Sequence, residues 1–372
     1  MSKIILIVLD SLGVGEAADA EAYGDSGANT LGNLAGWLGG LELPHMERLG
    51  LGYLGDFAGI GRPSEPAGSF MTLDPRSPGK DTTSGHWELA DLILEQPFPT
   101  YPEGFPPSLV AEFEKRIGSR TLGNYPASGI EIINRLGEEH LRTGAPIVYT
   151  SADSVFQVAT HEDLFPLERL YEICENARDL LQAPHNVSRV IARPFKGKAG
   201  DFYRTPARRD FSVAPPRPTL LDRLCSAGIT VTGVGKISDI FGGRGISRSV
   251  HTDSNLEGID RTISLIEEES AGLIFTNLVE FDMLYGHRRD PQGYAGALKQ
   301  FDRRLPDIMG AMKDSHLLMI TGDHGCDPTF KGSDHTREKV PLLMHSRNFS
   351  REKTGIRGFS EVSRIISELL LR

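Results

Sequence analysis

Ile4–Asp10 reads IILIVLD, an unbroken apolar run, rich in β-branched residues, that ends on a carboxylate. It is too short for a buried helix, and it does not alternate as a half-exposed strand would. That is the pattern of a strand covered on both faces inside a parallel sheet. The same texture recurs at Ile147–Tyr149, Val190–Ala192, Ile229–Val234, Leu273–Val279 and Leu317–Thr321. Helical periodicity falls between some of these runs, at Leu167–Gln182, Thr219–Ala227, Asp260–Glu269, Gly296–Lys313 and Phe359–Leu371. Strand and helix alternate, which makes the chain α/β with a mostly parallel sheet flanked by helices.

Open parallel sheets bind ligands beyond the carboxyl ends of their strands. Asp10 stands at such an end, as do Asp282 and Asp323, and His287, His324 and His335 follow close behind. One aspartate at a strand end is usually a cap or turn former. Three at independent strand ends, with imidazoles nearby, are the ingredients of a two-metal site for phosphoryl transfer. Oxygen and imidazole donors without thiolate suit Mn²⁺, Mg²⁺ or Zn²⁺. Cys326, beside Asp323-His324, reads as a buried bystander. Asp323 and His324 would face apart on an extended segment, so a sharp turn at Gly322 and Gly325 is expected to let both converge.

Gly79–Glu88, GKDTTSGHWE, offers three hydroxyls, Thr82, Thr83 and Ser84, ahead of a helix. The plain reading is an N-cap. The sharper reading sets one hydroxyl at a helix N-terminus, where backbone N–H groups favour an oxyanion and a metal would lower its pKa. Residue physics alone does not choose among the three, and His86 either touches substrate or packs. Gly13–Ala18 matches the GxGxxA dinucleotide pattern, but Asp10 and Ser11 occupy the turn. No second strand delivers a ribose-binding acid, so that cofactor is set aside.

At 372 residues the chain exceeds one ordinary core. Pro97–Pro107 holds five prolines and Ala214–Pro218 three more, which read as hinges. The expected plan is a core of 1–95 and 219–372 with a smaller α/β cap, 96–218, inserted into it. A net charge of −10 argues against nucleic acid and anionic membranes as partners. Against that background Arg189–Arg209 carries seven basic residues and one acid, a local grip for phosphate. Arg193 and Arg204 are better candidates than the lysines because arginine pairs with phosphate bidentately. Lys236 is a further candidate. Three scattered cysteines imply no disulfide framework. No run approaches a membrane span, and Ile4–Leu9 is too short for a signal segment, so a cytoplasmic location is expected.

These segments together resemble the phosphopentomutases of the alkaline phosphatase superfamily. The likeness runs nearly end to end through VLDSLGVGEA, GKDTTSGHWE, YTSADSVFQ, VIARPF, GVGKISDIF, NLVEFDMLYGH, GDHGCDPT and SDHTREKVPLL. It implies an alkaline-phosphatase-like core, with Asp10, Asp323 and His324 on one ion and Asp282, His287 and His335 on the other. In that superfamily the nucleophile directly follows an aspartate, which selects Thr82, itself also a metal ligand. The resemblance further implies that Asp153, Arg189, Arg193, Arg204 and Lys236 meet a sugar phosphate. The implied activity is an isomerase of nucleoside salvage, interconverting ribose 1-phosphate, and the 2-deoxyribose compound, with the 5-phosphate through a phosphothreonine. Two divalent ions, Mn²⁺ foremost, and a sugar bisphosphate activator would accompany it. The alternatives are a cofactor-independent phosphoglycerate mutase, a phosphatase, or a metal-binding protein without catalysis. The Thr82 loop argues against the last.

Overall fold

β1 (Lys3–Leu9) is buried at every position and has a parallel neighbour on each side, β11 (Gly272–Leu278) and β12 (Leu317–Thr321). The structure, a computed structural model, describes residues 3–151, 153–268, 271–347 and 353–371. It divides into two compact units, Met1–Gln96 with Pro215–Arg372, and Pro97–Ala214.

The large unit holds an eight-stranded sheet. From edge to edge it runs β10 (Arg248–Val250), β9 (Thr230–Val234), β11, β1, β12, β13 (Val340–His345), β2 (Ser69–Asp74) and β14 (Lys353–Gly358). Pairing is parallel except where β13 lies antiparallel between β12 and β2. Ile5, Ile7 and Leu9 pack into one apolar cluster with the helices Thr30–Trp37, Pro44–Leu49, Asn255–Glu267 and Pro291–Ala311. Covering of this kind is why the central strands are mostly apolar and buried at every position.

Register places the functional segments. Leu9 is level with Leu278, and Val8 with Thr321, so β1, β11 and β12 end together. Because β13 runs the other way, with Leu342 opposite Thr321, the segment leading into it, His335–Lys339, reaches the same edge. That segment is tied there by Val14 N–H to Lys339 O (2.8 Å) and by paired bonds between Gly325 and Thr336. The GxGxxA stretch therefore opens no helix; the next α-helix starts at Thr30.

Local chemistry sets the helix ends. The helix expected from Asp260 begins at Asn255, because Ser254 accepts the Glu257 N–H and caps it. Its expected last residue, Glu269, lies outside the described residues. Thr219 and Asp222 form a reciprocal capping box for Leu220–Ser226.

The small unit has its own sheet. Its path is β3 (Leu122–Pro126), β4 (Ile147–Thr150), β5 (Val155–His161), β6 (Arg189–Lys196) and β7 (Tyr203–Arg204), with β8 (Arg209–Ser212) also paired to β6. Separate apolar clusters, around Phe113 and Phe156 and around Ile132 and Phe195, give it its own core. Among the described residues no helix is long and apolar enough to cross a membrane.

The level ends of β1 and β12 leave no room for a side chain at Gly322, where a Cβ would lie 2.4 Å from Leu12 O. Gly322→Ala should cost about 1–3 kcal/mol by overpacking. The expected result is a lower urea midpoint for the metal-free protein with an unchanged slope. An unchanged midpoint would show that the two strand ends are free to separate.

Candidate metal centre

Three strand ends and one turn converge on a buried cluster. Asp10 follows β1 directly, and the next residue, Ser11, is held at φ 72°, a left-handed conformation that costs a non-glycine residue energy. The turn is stabilised by Ser11 N–H donating to Asp323 Oδ1 (3.0 Å). Asn277, polar and buried within β11, donates to Asp10 Oδ2 (2.7 Å).

Asp282 lies on a π-helical turn, Phe281–Gly286, and His287 caps its end, donating its N–H to Asp282 O (3.1 Å). One such turn brings residues five apart onto the same face. His287 Nε2 is 3.3 Å from Asp282 Oδ2, and His335 Nε2 is 3.2 Å from Asp282 Oδ1. His324 Nε2 is 3.4 Å from both Asp10 Oδ1 and Asp323 Oδ2. Two imidazoles are aimed by their other nitrogens: His287 Nδ1 donates to Ser333 O (2.7 Å) and His324 Nδ1 to Gly325 O (3.1 Å). A proton on Nδ1 leaves the Nε2 lone pair facing the cluster, as a metal ligand requires.

Asp323 and His324 do converge, but not through the turn expected of glycine. Neither Gly322 nor Gly325 is among the left-handed residues. Both are needed for close approach instead; a Cβ on Gly325 would lie 2.3 Å from Glu338 Oε1.

The third side of the cluster is the helix Thr82–Leu89. Asp81 caps it by accepting Ser84 N–H, and the Ser84 hydroxyl donates back to Asp81, so that hydroxyl is used in capping. Thr83 is buried. Thr82 Oγ1 is 3.1 Å from His324 Nε2, at the first helical position. The helix can come this close because residue 85 is glycine, whose Cβ would otherwise meet Asp323 O at 2.2 Å. His86 also has a place: its Nδ1 is 2.9 Å from Thr82 O and 3.0 Å from Asp323 Oδ2.

Electrostatics follow from this crowding. Burial, then Asp323 and Asp282, push the Asp10 carboxyl well above its ordinary range. Burial pushes Asp282 the same way, but His335 and His287 outweigh it and hold Asp282 well below. Burial of Asp323 is likewise outweighed, by His324 and His86. Asp10 Oδ1 and Asp282 Oδ1 are buried with no hydrogen bond, and the buried Asp323 Oδ2 lies against imidazole nitrogens, His86 Nδ1 at 3.0 Å and His324 Nε2 at 3.4 Å. Orphaned carboxylate oxygens facing imidazole lone pairs are costly alone and fit divalent cations. Ligand atoms of Asp10, Asp323 and His324 lie within 4.8 Å of one another, as do those of Asp282, His324 and His335, and of Asp282, His287 and Cys326.

Arg337 was not singled out in the sequence, yet it organises the approach to Thr82. Its guanidinium is fully buried, pairs bidentately with Asp19 (2.9 and 3.0 Å), and lies over the Tyr23 ring. It also donates to Ser77 O, Gly79 O and Pro75 O. The loop preceding Thr82 thus hangs from the segment that carries His335.

The other candidates lie elsewhere. Lys236 follows β9 and is outside the cluster, at the N-cap of Ile237–Ile240. In the small unit Arg193 on β6, Arg204 on β7 and nearby Arg208 surround the buried Tyr149 hydroxyl; burial raises that hydroxyl's pKa and the three arginines oppose the rise. Burial lowers Arg193 to about 10, and its Nε donates to Gln157 (3.1 Å). Arg189 is 3.6 Å from Asp210, and Asp153 is half-buried just before β5.

An α/β sheet carrying a carboxylate–imidazole cluster at its strand ends defines a metal-dependent enzyme class, and the family model of the Metalloenzyme superfamily matches residues 2–370. A solved structure from Pyrococcus horikoshii shares the fold, with a TM-score of 0.51 at 17% identity, covering 99% of this chain and 97% of that one. Relatives are far closer in sequence. The phosphopentomutase of Acetivibrio thermocellus is 53% identical over 100% of this chain and 96% of its own length. That of Caldanaerobacter subterraneus subsp. tengcongensis is 56% identical over 99% and 94%. The chain belongs to the phosphopentomutases, a family of isomerases.

Beside the cluster, Glu338 is buried and accepts from Thr30 N–H (2.8 Å), Thr30 Oγ1 (2.7 Å) and Thr336 Oγ1 (2.6 Å). Burial nevertheless pushes it from 4.5 up to about 7. Within that window the folded protein keeps a proton that the unfolded chain has lost, so the stability from this group falls as pH rises. The slope should approach about 1.4 kcal/mol per pH unit. Urea unfolding of the metal-free protein across this window should show a shallower fall in Glu338→Gln. Equal slopes in the two proteins would mean that Glu338 does not hold the proton.

Proposed function

We propose that this protein interconverts α-D-ribose 1-phosphate and ribose 5-phosphate, and the 2-deoxyribose pair, through a phosphoryl group carried on Thr82. The observation that carries the reading is the Thr82 hydroxyl at a helix N-terminus, 3.1 Å from His324 Nε2 and beside the buried carboxylates. Membership of the phosphopentomutases supports it independently.

Asp10, Asp323 and His324 would hold one divalent ion and Asp282, His287 and His335 the other, with Thr82 also a ligand and Mn²⁺ the proposed metal. When bound, such ions neutralise charge on the transferring phosphoryl group and lower the nucleophile's pKa. The remaining work belongs to the chain. Backbone N–H groups at the start of Thr82–Leu89 favour the phosphoryl oxygens. In the first half-reaction the P–O bond to Thr82 breaks as one forms to the sugar hydroxyl, whose proton is released, giving a sugar bisphosphate. In the second, the phosphoryl group at the other position returns to Thr82 and the freed sugar oxygen regains a proton. A sugar bisphosphate would therefore reload any enzyme that has lost its phosphoryl group. Arg193 and Arg204 are the proposed grip on the phosphate that is not reacting, with Asp153, Arg189 and Lys236 as further sugar-phosphate contacts. The proposed setting is nucleoside salvage in the cytoplasm.

Thr82→Ala should fold and bind metal but lose at least about 10⁴-fold in isomerisation, as removal of a nucleophile does. Thr82→Ser should keep part of the activity, since only a methyl is lost. Mass spectrometry should find the phosphoryl group on Thr82; finding it on Thr83 or Ser84 would reassign the nucleophile.

Arg204 is exposed, so its truncation tests substrate contact with little risk to the fold. Arg204→Ala should reduce isomerisation by one to two orders of magnitude, about 1.5–3 kcal/mol, and leave hydrolysis of a small aryl phosphate nearly unchanged. Equal loss of both activities would remove Arg204 from the substrate site. Rapid release of phosphate from ribose 5-phosphate by the intact protein would favour a phosphatase instead.

A further inference from the structure

We propose that Cys326 supplies a thiolate to the Asp282–His287 site when a thiophilic ion enters, enlarging that site's preference for Zn²⁺ or Cd²⁺ over Mn²⁺. The inference rests on the two-ion reading above and adds a ligand to it. Ligand atoms of Asp282, His287 and Cys326 lie within 4.8 Å of one another. Cys326 is 1% exposed, and its thiol donates to the Asp282 carboxylate and, weakly, to Asp334 O at 3.7 Å. The sulfur fits because residue 286 is glycine; a Cβ there would lie 2.8 Å from Sγ. Asp282 independently points to a ligand, since its side chain is nine-tenths buried and Oδ1 has no hydrogen bond. The His287 Nε2 lone pair is already directed inward by the bond from Nδ1 to Ser333 O. Cys174 belongs to the small unit's core and Cys225 donates to Gly245 O, and neither joins a ligand group among the described residues.

Hard Mn²⁺ is satisfied by oxygen and imidazole, whereas thiolate selects softer ions. When a soft ion binds, the S–H bond breaks and a metal–sulfur bond forms. One proton passes to solvent per ion, and no oxidant or reductant takes part. Manganese would leave the thiol protonated.

The test is X-ray absorption at the zinc edge on the full-length protein, stripped of metal and reloaded with Zn²⁺. A sulfur neighbour at roughly 2.3 Å, one per chain, is expected. Cys326→Ser should lose that sulfur, and its preference for Zn²⁺ over Mn²⁺ in competition should fall by at least about 10-fold. If that variant does not fold, the wild-type spectrum still decides, because the other cysteines lie outside every ligand group. Zinc bound through oxygen and nitrogen alone overturns the thiolate and leaves the two-ion reading standing. So does a sulfur signal that persists in Cys326→Ser. A chain that binds no zinc at all overturns both.

Discussion

Three carboxylates are held close together inside a protein interior, and that repulsion is what the surrounding structure has to contain. The charges that act most strongly on Asp10 are two other aspartates, so the cluster resists its own assembly. Common strand ends impose the proximity, and each acid is then given a restraint. Asn277 donates to Asp10, Ser11 donates to Asp323 from a strained conformation, and two imidazoles bracket Asp282. Strain and buried unsatisfied oxygens at one place are the usual mark of a site where folding stability has been spent on function.

The hydroxyl side of the centre depends on long-range ties rather than on its own sequence. Glu88 accepts the N–H groups of Arg76 and Ser77, and Arg337 takes three carbonyls from the same loop. The loop is thus clamped from the helix that follows it and from the segment carrying His335. The proposed phosphoryl carrier, Thr82, would need this stiffness, because a misplacement of about 1 Å at a reacting atom can cost around 100-fold in rate.

Much of this was legible in the residues. β1, β11 and β12 are buried at every position and mostly apolar, so their runs mark them within a residue or two, and the aspartates beyond their ends follow. β13 and β2 were not legible, since VPLLMH carries a proline and SFMTLD has no clean period; their places come from pairing with each other and with β12. Asn277 left one signal, a polar residue inside an otherwise apolar strand, but its partner lies far away in sequence. Arg337 left none, because a buried guanidinium is defined by carbonyls that only the fold assembles. The glycines at 322 and 325 suggest backbone freedom in the sequence, whereas the fold needs their missing side chains.

The parallel pairing of β1 has a cost paid during synthesis. Leu9 cannot take its place beside Leu278 until all of the chain between them exists. At about 5–20 residues per second, the central strand of the sheet waits on the order of tens of seconds for its partners. The Pro97–Ala214 unit is contiguous and has its own core, so it can close its sheet in that interval. β1 has no such recourse, and non-local parallel pairing is slow to form and exposed to aggregation meanwhile. The strand that centres the finished protein is therefore its longest-standing hazard on the ribosome, where chaperones would find their first hold.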